Sequence, residues 1–314
     1  MVDSKKQWKA WLYLSPAIIL LLIFTVWPIF NTVRMSLLEG YSGLKAVSGV
    51  KFNFGIGNFV KVLEYQKFNK CLNNTILLCV TTVPISTLLA LLIAVALNSI
   101  KFLRNALQTI FFLPYVTNSI AIGMVFAAMF NIVGQGIGGD NPIIVTAGII
   151  NNILGLFGVE PISWINTGST YAANITVMII YIVWNALPFK ILILLGGLQS
   201  INKQYYDAAK VDGTPRRRVF TKITIPLLSP MLAYVIITGF IGGFKEYSSI
   251  VGIFGETMGP PDDDRRLNTI VGFIYDSLET NSQGRASAAA LILFAIILVV
   301  TLINNQFIKK KVHF

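Results

Sequence analysis

Side chains able to do covalent or metal chemistry are scarce in this sequence. A single histidine, His313, excludes a histidine-built metal site or a nucleophile–histidine pair, and the two cysteines, Cys71 and Cys79, share one apolar stretch. On a helix their spacing corresponds to about 12 Å of rise, beyond the reach of a disulfide. No G-x-x-x-x-G-K-[ST] phosphate loop occurs. The glycines of "GQGIGGD" (134–140) lack the lysine and the hydroxyl that would follow, and they read as a flexible turn. No catalytic residue, metal set or cofactor is expected of this chain. What remains is polar chemistry set inside apolar runs: Lys190, Lys245 and Glu246. An ionisable group at membrane depth is expensive and often relays ions, so an ion-coupled secondary carrier is one reading; Lys190 is equally readable as snorkelling from the end of its span. The other reading is a route for a hydroxyl-rich solute, because aromatic faces stack on rings while amides and carboxylates bond hydroxyls. Trp184, Asn185, Phe240, Glu246 and Tyr247 carry those types and fall near the middle or outward half of their spans.

The elements that must hold these residues are membrane helices. The 314 residues are 54% hydrophobic and 12% charged, against roughly 25% charged in soluble domains. A helix needs roughly 20 apolar residues to cross the hydrocarbon core, and runs of that length occur near 10–33, 72–99, 103–130, 172–198, 227–254 and 286–308. The first begins like a secretory signal but outruns a signal core and lacks a small-x-small cleavage pattern, so it reads as a retained span. Six spans in a single transmembrane domain over 1–314 are expected.

The net charge of +11 is a topology signal. With the amino terminus in the cytoplasm, the inside segments (1–9, 100–104, 199–226, 309–314) hold 14 Lys and Arg against three acids, and the outside segments (34–71, 131–171, 255–285) nine against ten. That is the bias of the positive-inside rule, so a nucleic-acid partner is not implied. A plasma-membrane protein with both termini cytoplasmic is expected. Prolines at 16, 28, 84, 114 and 188 fall within or near spans, where a kink is tolerated if neighbouring helices or water satisfy the freed carbonyl. The Gly-rich segment 131–171 reads as short interfacial helices, since Gly134 to Pro142 interrupt it and Pro161 ends it.

One inside segment is longer than a marker of topology requires. "YYDAAKVDGTPRRRVFTKITIPLLSP" (205–230) begins with an amphipathic helix over 203–212 that sets Tyr205, Ala208 and Ala209 against Lys203, Asp207 and Lys210. Gly213 is free to adopt the positive φ that ends a helix. Thr214 is expected to cap a second helix with Pro215 at its first position, carrying Arg216 to Arg218 on its polar side and Val219, Phe220 and Ile223 on its apolar side. A membrane-surface segment held by anionic lipid is the alternative to a docking hairpin, and Asp207 and Asp212 count against it.

The hairpin resembles the coupling loop of ABC-importer permeases: Ala208, Ala209, Asp212, Gly213, Ile223 and Pro226 match that signature, and Asp207 stands where the family has Glu. "WNALPFKILILLGGLQSI" (184–201), "IFFLPYVTNSIAIGMVFAAMFN" (110–131), "GIINNILGLFGVEPISWI" (148–165), "YLSPAIILLLIFTVWPIFNTVRMSL" (13–37) and "GRASAAALILFAIILVVTLIN" (284–304) look like the maltose and glycerol-3-phosphate type of sugar permease, the first of its two permease subunits in particular. The resemblance implies an all-α membrane protein with type I importer architecture and a cytoplasmic coupling hairpin at 203–224. Tyr206, Asp207, Ala208, Ala209, Asp212, Gly213 and Pro226 would couple it to an ATPase. It also implies a second homologous permease, an ATPase dimer that binds ATP and magnesium, and an extracellular solute-binding protein. An insertion near 134–147 and the segment "GETMGPPDDDRRLNT" (255–269) depart from the family pattern.

Overall fold

The computed structural model describes residues 7–100, 109–110, 113, 115–133 and 146–309. In chain order the described elements are α1 (Trp8–Leu37), α2 (Gly43–Val47), α3 (Gly57–Glu64), α4 (Gln66–Ser99) and α5 (Ser119–Phe130). A two-residue antiparallel ladder follows, β1 (Ile132–Val133) with β2 (Thr146–Ala147), and then α6 (Ile149–Gly155), α7 (Tyr171–Ser200) and α8 (Lys203–Val211). The remainder are α9 (Arg216–Gly243), α10 (Ser248–Phe254), α11 (Ile270–Glu279) and α12 (Gln283–Lys309). Among the described residues α1, α4, α7, α9 and α12 are long and apolar enough to cross a membrane.

Two long helices widen by a π turn just ahead of a proline: Leu22–Val26 in α1 before Pro28, and Phe220–Thr224 in α9 before Pro226. Proline offers no N–H to the carbonyl four residues back, so the ladder re-registers there without ending.

Two expected spans differ in the structure. The third, 103–130, lies partly outside the described residues; its described end is α5, which starts anew at Asn118, whose side chain accepts from Ile120 N and Ala121 N. The fifth, expected as one helix over 227–254, ends at Gly243, turns through Phe244 to Tyr247 and resumes as α10. The Gly242–Gly243 pair weakens the helix, and the Glu246 carboxylate accepts from Tyr247 N and Ser249 N, both at 3.1 Å. Those bonds satisfy donors that open the next helix.

The chain divides into two compact units. The smaller takes residues up to 69 and 272–295. Asn58, 3% exposed, ties it together: Nδ2 donates to Ser36 O and Leu38 O at 2.9 and 2.8 Å, and Oδ1 accepts from Gly40 N. Gly43 N donates to Gln283 Oε1 and Gly284 N to Tyr41 O, pinning the amino-terminal loops to the start of α12. The larger unit holds 70–271 and 296 onward. One of its cores gathers Tyr181, Met178, Ile250, Phe130 and Leu78, and a second sets Ala90, Ala94 and Leu97 of α4 against Ile191, Leu194 and Leu195 of α7. Small residues at that seam let backbones approach, as association within lipid requires. Where α5 crosses α10, a Cβ added at Gly123 would lie 2.6 Å from Gly252 Cα, so the crossing admits no side chain there.

Candidate functional site

The coupling hairpin forms as the sequence predicts, with one correction. α8 starts at Asn202, whose side chain accepts from Gln204 N at 3.0 Å. It ends in a Schellman motif: Gly213 N donates to Lys210 O and Thr214 N to Ala209 O, with Gly213 at φ +65°. The expected cap at Thr214 is instead Pro215, which holds φ −64° and ψ 144° and leaves Arg216 as the first residue of α9. The extended ψ of Pro215 keeps it outside the helix, so Thr214 stands one residue too far back to cap it.

The two arms are braced by Ala209, which is buried, and by Tyr206 OH with Thr224 Oγ1 at 3.2 Å. Pro226 follows the π turn and is exposed. Tyr205, Asp207, Ala208, Val211 and Asp212 are exposed as well. Neither carboxylate bonds or pairs with any described residue. Beside them lies a groove of about 410 Å³ bounded by Gln204, Tyr205, Ala208, Asp212 and Ile223. The hairpin is therefore stiffened by its own bonds while its two carboxylates stay exposed.

The second feature is a cavity of about 300 Å³ among α4, α7 and α9, with Tyr115 at its edge. Thr82, Ser86, Asn185, Lys190, Thr238 and Glu246 supply its polar lining. Of the pathway residues expected from the sequence, the structure brings Asn185 and Glu246 to this cavity. Trp184 packs on Phe126 with ring centroids 5.0 Å apart, Tyr247 packs against the Tyr181 core, and Phe240 receives the Cys79 thiol on its carbonyl; none of the three lines the cavity. Asn185 Nδ2 donates to Ser119 Oγ at 3.3 Å, and Tyr181 OH donates to Ser119 O at 2.6 Å, so the start of α5 is held beside α7.

Lys190 does not snorkel. It is 4% exposed, and Nζ donates to Ser86 Oγ at 2.7 Å, Thr87 Oγ1 at 2.9 Å and Val83 O at 3.3 Å. No described carboxylate lies within ion-pair distance. A Cβ at Gly239 would meet Lys190 Nζ at 3.2 Å, so this glycine of α9 leaves the room that the ammonium occupies. Ser86 and Thr87 were missed by sequence reasoning. Their signal was the hydroxyl run Thr81, Thr82, Ser86 and Thr87 around Pro84, in a stretch, 76–97, that is otherwise apolar. Lys245, grouped with Glu246 in the sequence, is exposed in the turn after α9. The insertion at 134–147 falls mostly outside the described residues.

Comparisons with known proteins agree on one kind of molecule. The family described as "Binding-protein-dependent transport system inner membrane component" matches residues 86–313. The lactose transport system permease protein LacF of Rhizobium radiobacter is 30% identical over 94% of this chain and 91% of its own length. The arabinooligosaccharides transport system permease protein AraP of Bacillus subtilis is 30% identical over 96% of this chain and 88% of its own. Among solved structures, that of a bacterial ABC transporter involved in the import of the acidic polysaccharide alginate matches with a TM-score of 0.74, covering 98% of this chain and 96% of the other at 22% identity. The fold is that of an ABC-importer permease. These relatives are not ion-coupled carriers, and the carrier reading loses its support.

Proposed function

This chain belongs to the family of binding-protein-dependent transport system inner membrane components, and on that premise we propose that it is one of two homologous permease subunits of an ATP-driven importer. Its cargo is a sugar, an oligosaccharide or a related polyol or sugar derivative. A multi-pass membrane subunit of such a system conducts solute and performs no covalent chemistry of its own. ATP and magnesium would be handled by a separate ATPase dimer, and solute would be delivered by an extracellular binding protein. Both termini and the hairpin would face the cytoplasm.

The observation that carries this reading is the hairpin. Its turn is locked by the Schellman bonds at Gly213, while the carboxylates of Asp207 and Asp212 stand exposed with no partner among the described residues. An acid left in that state suits a basic residue on a docking protein, where a charge-assisted bond is formed on assembly. Tyr206, Ala208, Ala209 and Pro226 shape that surface. Closure of two ATPases would swing the attached helices as rigid bodies. The cavity beside Asn185 and Glu246 is the matching candidate for the cargo route, with hydroxyls of Thr82, Ser86 and Thr238 suited to a hydroxylated solute. Trp184 would support that wall from behind through Phe126, and Phe240 and Tyr247 would act on its shape. The carbohydrate class is supported by the names of the relatives.

The test is uptake of neutral di- and oligosaccharides by the reconstituted complex. Uptake that is blocked by vanadate and requires a copurifying ATPase is the expected result. Uptake that ignores vanadate and collapses with an ionophore would sink the proposal.

A further inference from the structure

The smaller unit contains a cleft that the transport reading does not use. It has a volume of about 550 Å³ and is walled by the loop before α2, by α3 and by the turn from α11 into α12. That size lies within the range of about 300 to 1,000 Å³ typical of small-molecule sites.

Three cations and one acid line the cleft: Lys45, Lys61 and Arg285 against Glu64. No ion pair joins Glu64 to any of the three. Arg285 is held in place by rings, with its guanidinium 5.6 Å from the Tyr65 centroid and 5.9 Å from that of Phe273. Nη2 donates to Thr280 Oγ1 at 3.2 Å, whereas Nε is shielded from solvent and has no hydrogen-bond partner among the described residues. Tyr41 and Tyr65 contribute ring surface, each steadied by a phenylalanine: Phe52 at 5.0 Å for Tyr41 and Phe273 at 5.9 Å for Tyr65. Ser42 and Asn281 add hydrogen-bonding groups. The frame is rigid because Asn58 spends its polar atoms on backbone and Gly284 leaves no room for a side chain, a Cβ there meeting Asn58 Nδ2 at 2.8 Å.

Ring faces, hydroxyl partners and a net positive lining fit one kind of ligand. We propose that this cleft is a binding site for a saccharide that carries a carboxylate, with its rings against Tyr41 and Tyr65 and its acid among Lys45, Lys61 and Arg285. The proposal rests on the reading of the chain as a sugar permease, whose orientation sets the cleft on the extracellular side.

The test uses the full chain in nanodiscs without ATPase or binding protein, titrated calorimetrically with digalacturonate and with galactobiose, its neutral counterpart. Digalacturonate should bind at least about tenfold more tightly, the scale of one charge-assisted bond, and its affinity should fall as salt rises. Lys45→Gln and Lys61→Gln, both at exposed positions, should each weaken it about tenfold. Equal affinity for the two sugars, no binding, or indifference to both lysine changes would overturn the proposal. So would a result in which Lys61→Gln weakens only the association of the binding protein, which would make the cleft a receptor for a protein carboxylate. Vanadate-sensitive uptake of neutral sugar together with no preference for digalacturonate over galactobiose would show the carbohydrate reading standing while this site fails.

Discussion

The hairpin around Gly213 and the loop after α10 are both polar segments between apolar helices, and they spend their polar groups in opposite ways. In the loop, Arg266 donates to Asp263 Oδ2 at 2.8 Å, to Asn174 Oδ1 at 3.2 Å and to Ser169 O. Asn74 of α4 donates to Arg266 O and Asn268 O and accepts from Tyr171 OH at 2.7 Å. Met258 and Leu267 are buried beneath it. The segment that departs from the family pattern is thus fastened to α4 and α7 by bonds that are mostly half-buried. In the hairpin only Ala209 is buried along α8, and both carboxylates are exposed and without a partner among the described residues. Polar groups consumed internally hold a fold together, while polar groups held rigid and unpaired are kept for another molecule.

The largest effect should come from bending the hairpin without touching its chemistry. Nothing lies within 4 Å of a Cβ at Gly213, so Gly213→Val meets no clash, but its φ of +65° is costly for a β-branched residue. Uptake should drop by roughly 30-fold or more, with membrane insertion unchanged. Gly213→Asn, which tolerates that conformation, should keep most activity. Equal loss in both would mean that the turn geometry is not what matters.

The loop should fail in the opposite manner. Arg266→Ala strands Asn174 Oδ1 and Ser169 O, while the half-exposed Asp263 turns to water, and should lower stability by about 1 to 3 kcal/mol. Thermal unfolding in detergent would read it, and the surviving folded fraction should still couple to ATP. A variant as stable as the parent would contradict the contrast.

Lys190 lies between these extremes, fully bonded and yet lining a cavity. Lys190→Met removes a desolvated charge and fills similar volume, so stability should change by less than about 1 kcal/mol. Transport should fall by roughly tenfold if the ammonium meets cargo oxygens. Unchanged apparent affinity would assign Lys190 to tying α4 to α7 alone. The smallest effect is expected of Tyr206→Phe, which loses one partly exposed bond to Thr224 worth about 1 kcal/mol; a large loss of uptake would show that the hydroxyl meets the partner itself.

How much was legible in the sequence follows the range of the interactions. The hairpin is built from local signals, Asn202, Gly213 and Pro215, and it appears where they stand, with the cap displaced by one residue. The break in the fifth span was hidden because hydropathy runs on through 254, while the cause is local but subtle: two glycines and a carboxylate that caps the next helix. The cavity was only half legible. Asn185 and Glu246 could be picked by type, but the partners of Lys190 lie more than 100 residues away on α4, and no spacing within α7 points to them. Trp184 and Tyr247 were sound choices by chemistry, yet the crossing of α5 with α10 and α7 draws both rings into packing.

If the hairpin docks an ATPase, its exposed carboxylates meet that partner. The most direct measurement is ATPase copurification and solute-stimulated ATP hydrolysis for Asp207→Arg beside the parent, with insertion and thermal stability recorded in the same samples. Reversing an exposed, unpaired charge should leave insertion and stability unchanged, reduce ATPase recovery at least about tenfold and abolish stimulation by solute. ATPase recovery and stimulation equal to the parent's would contradict the account.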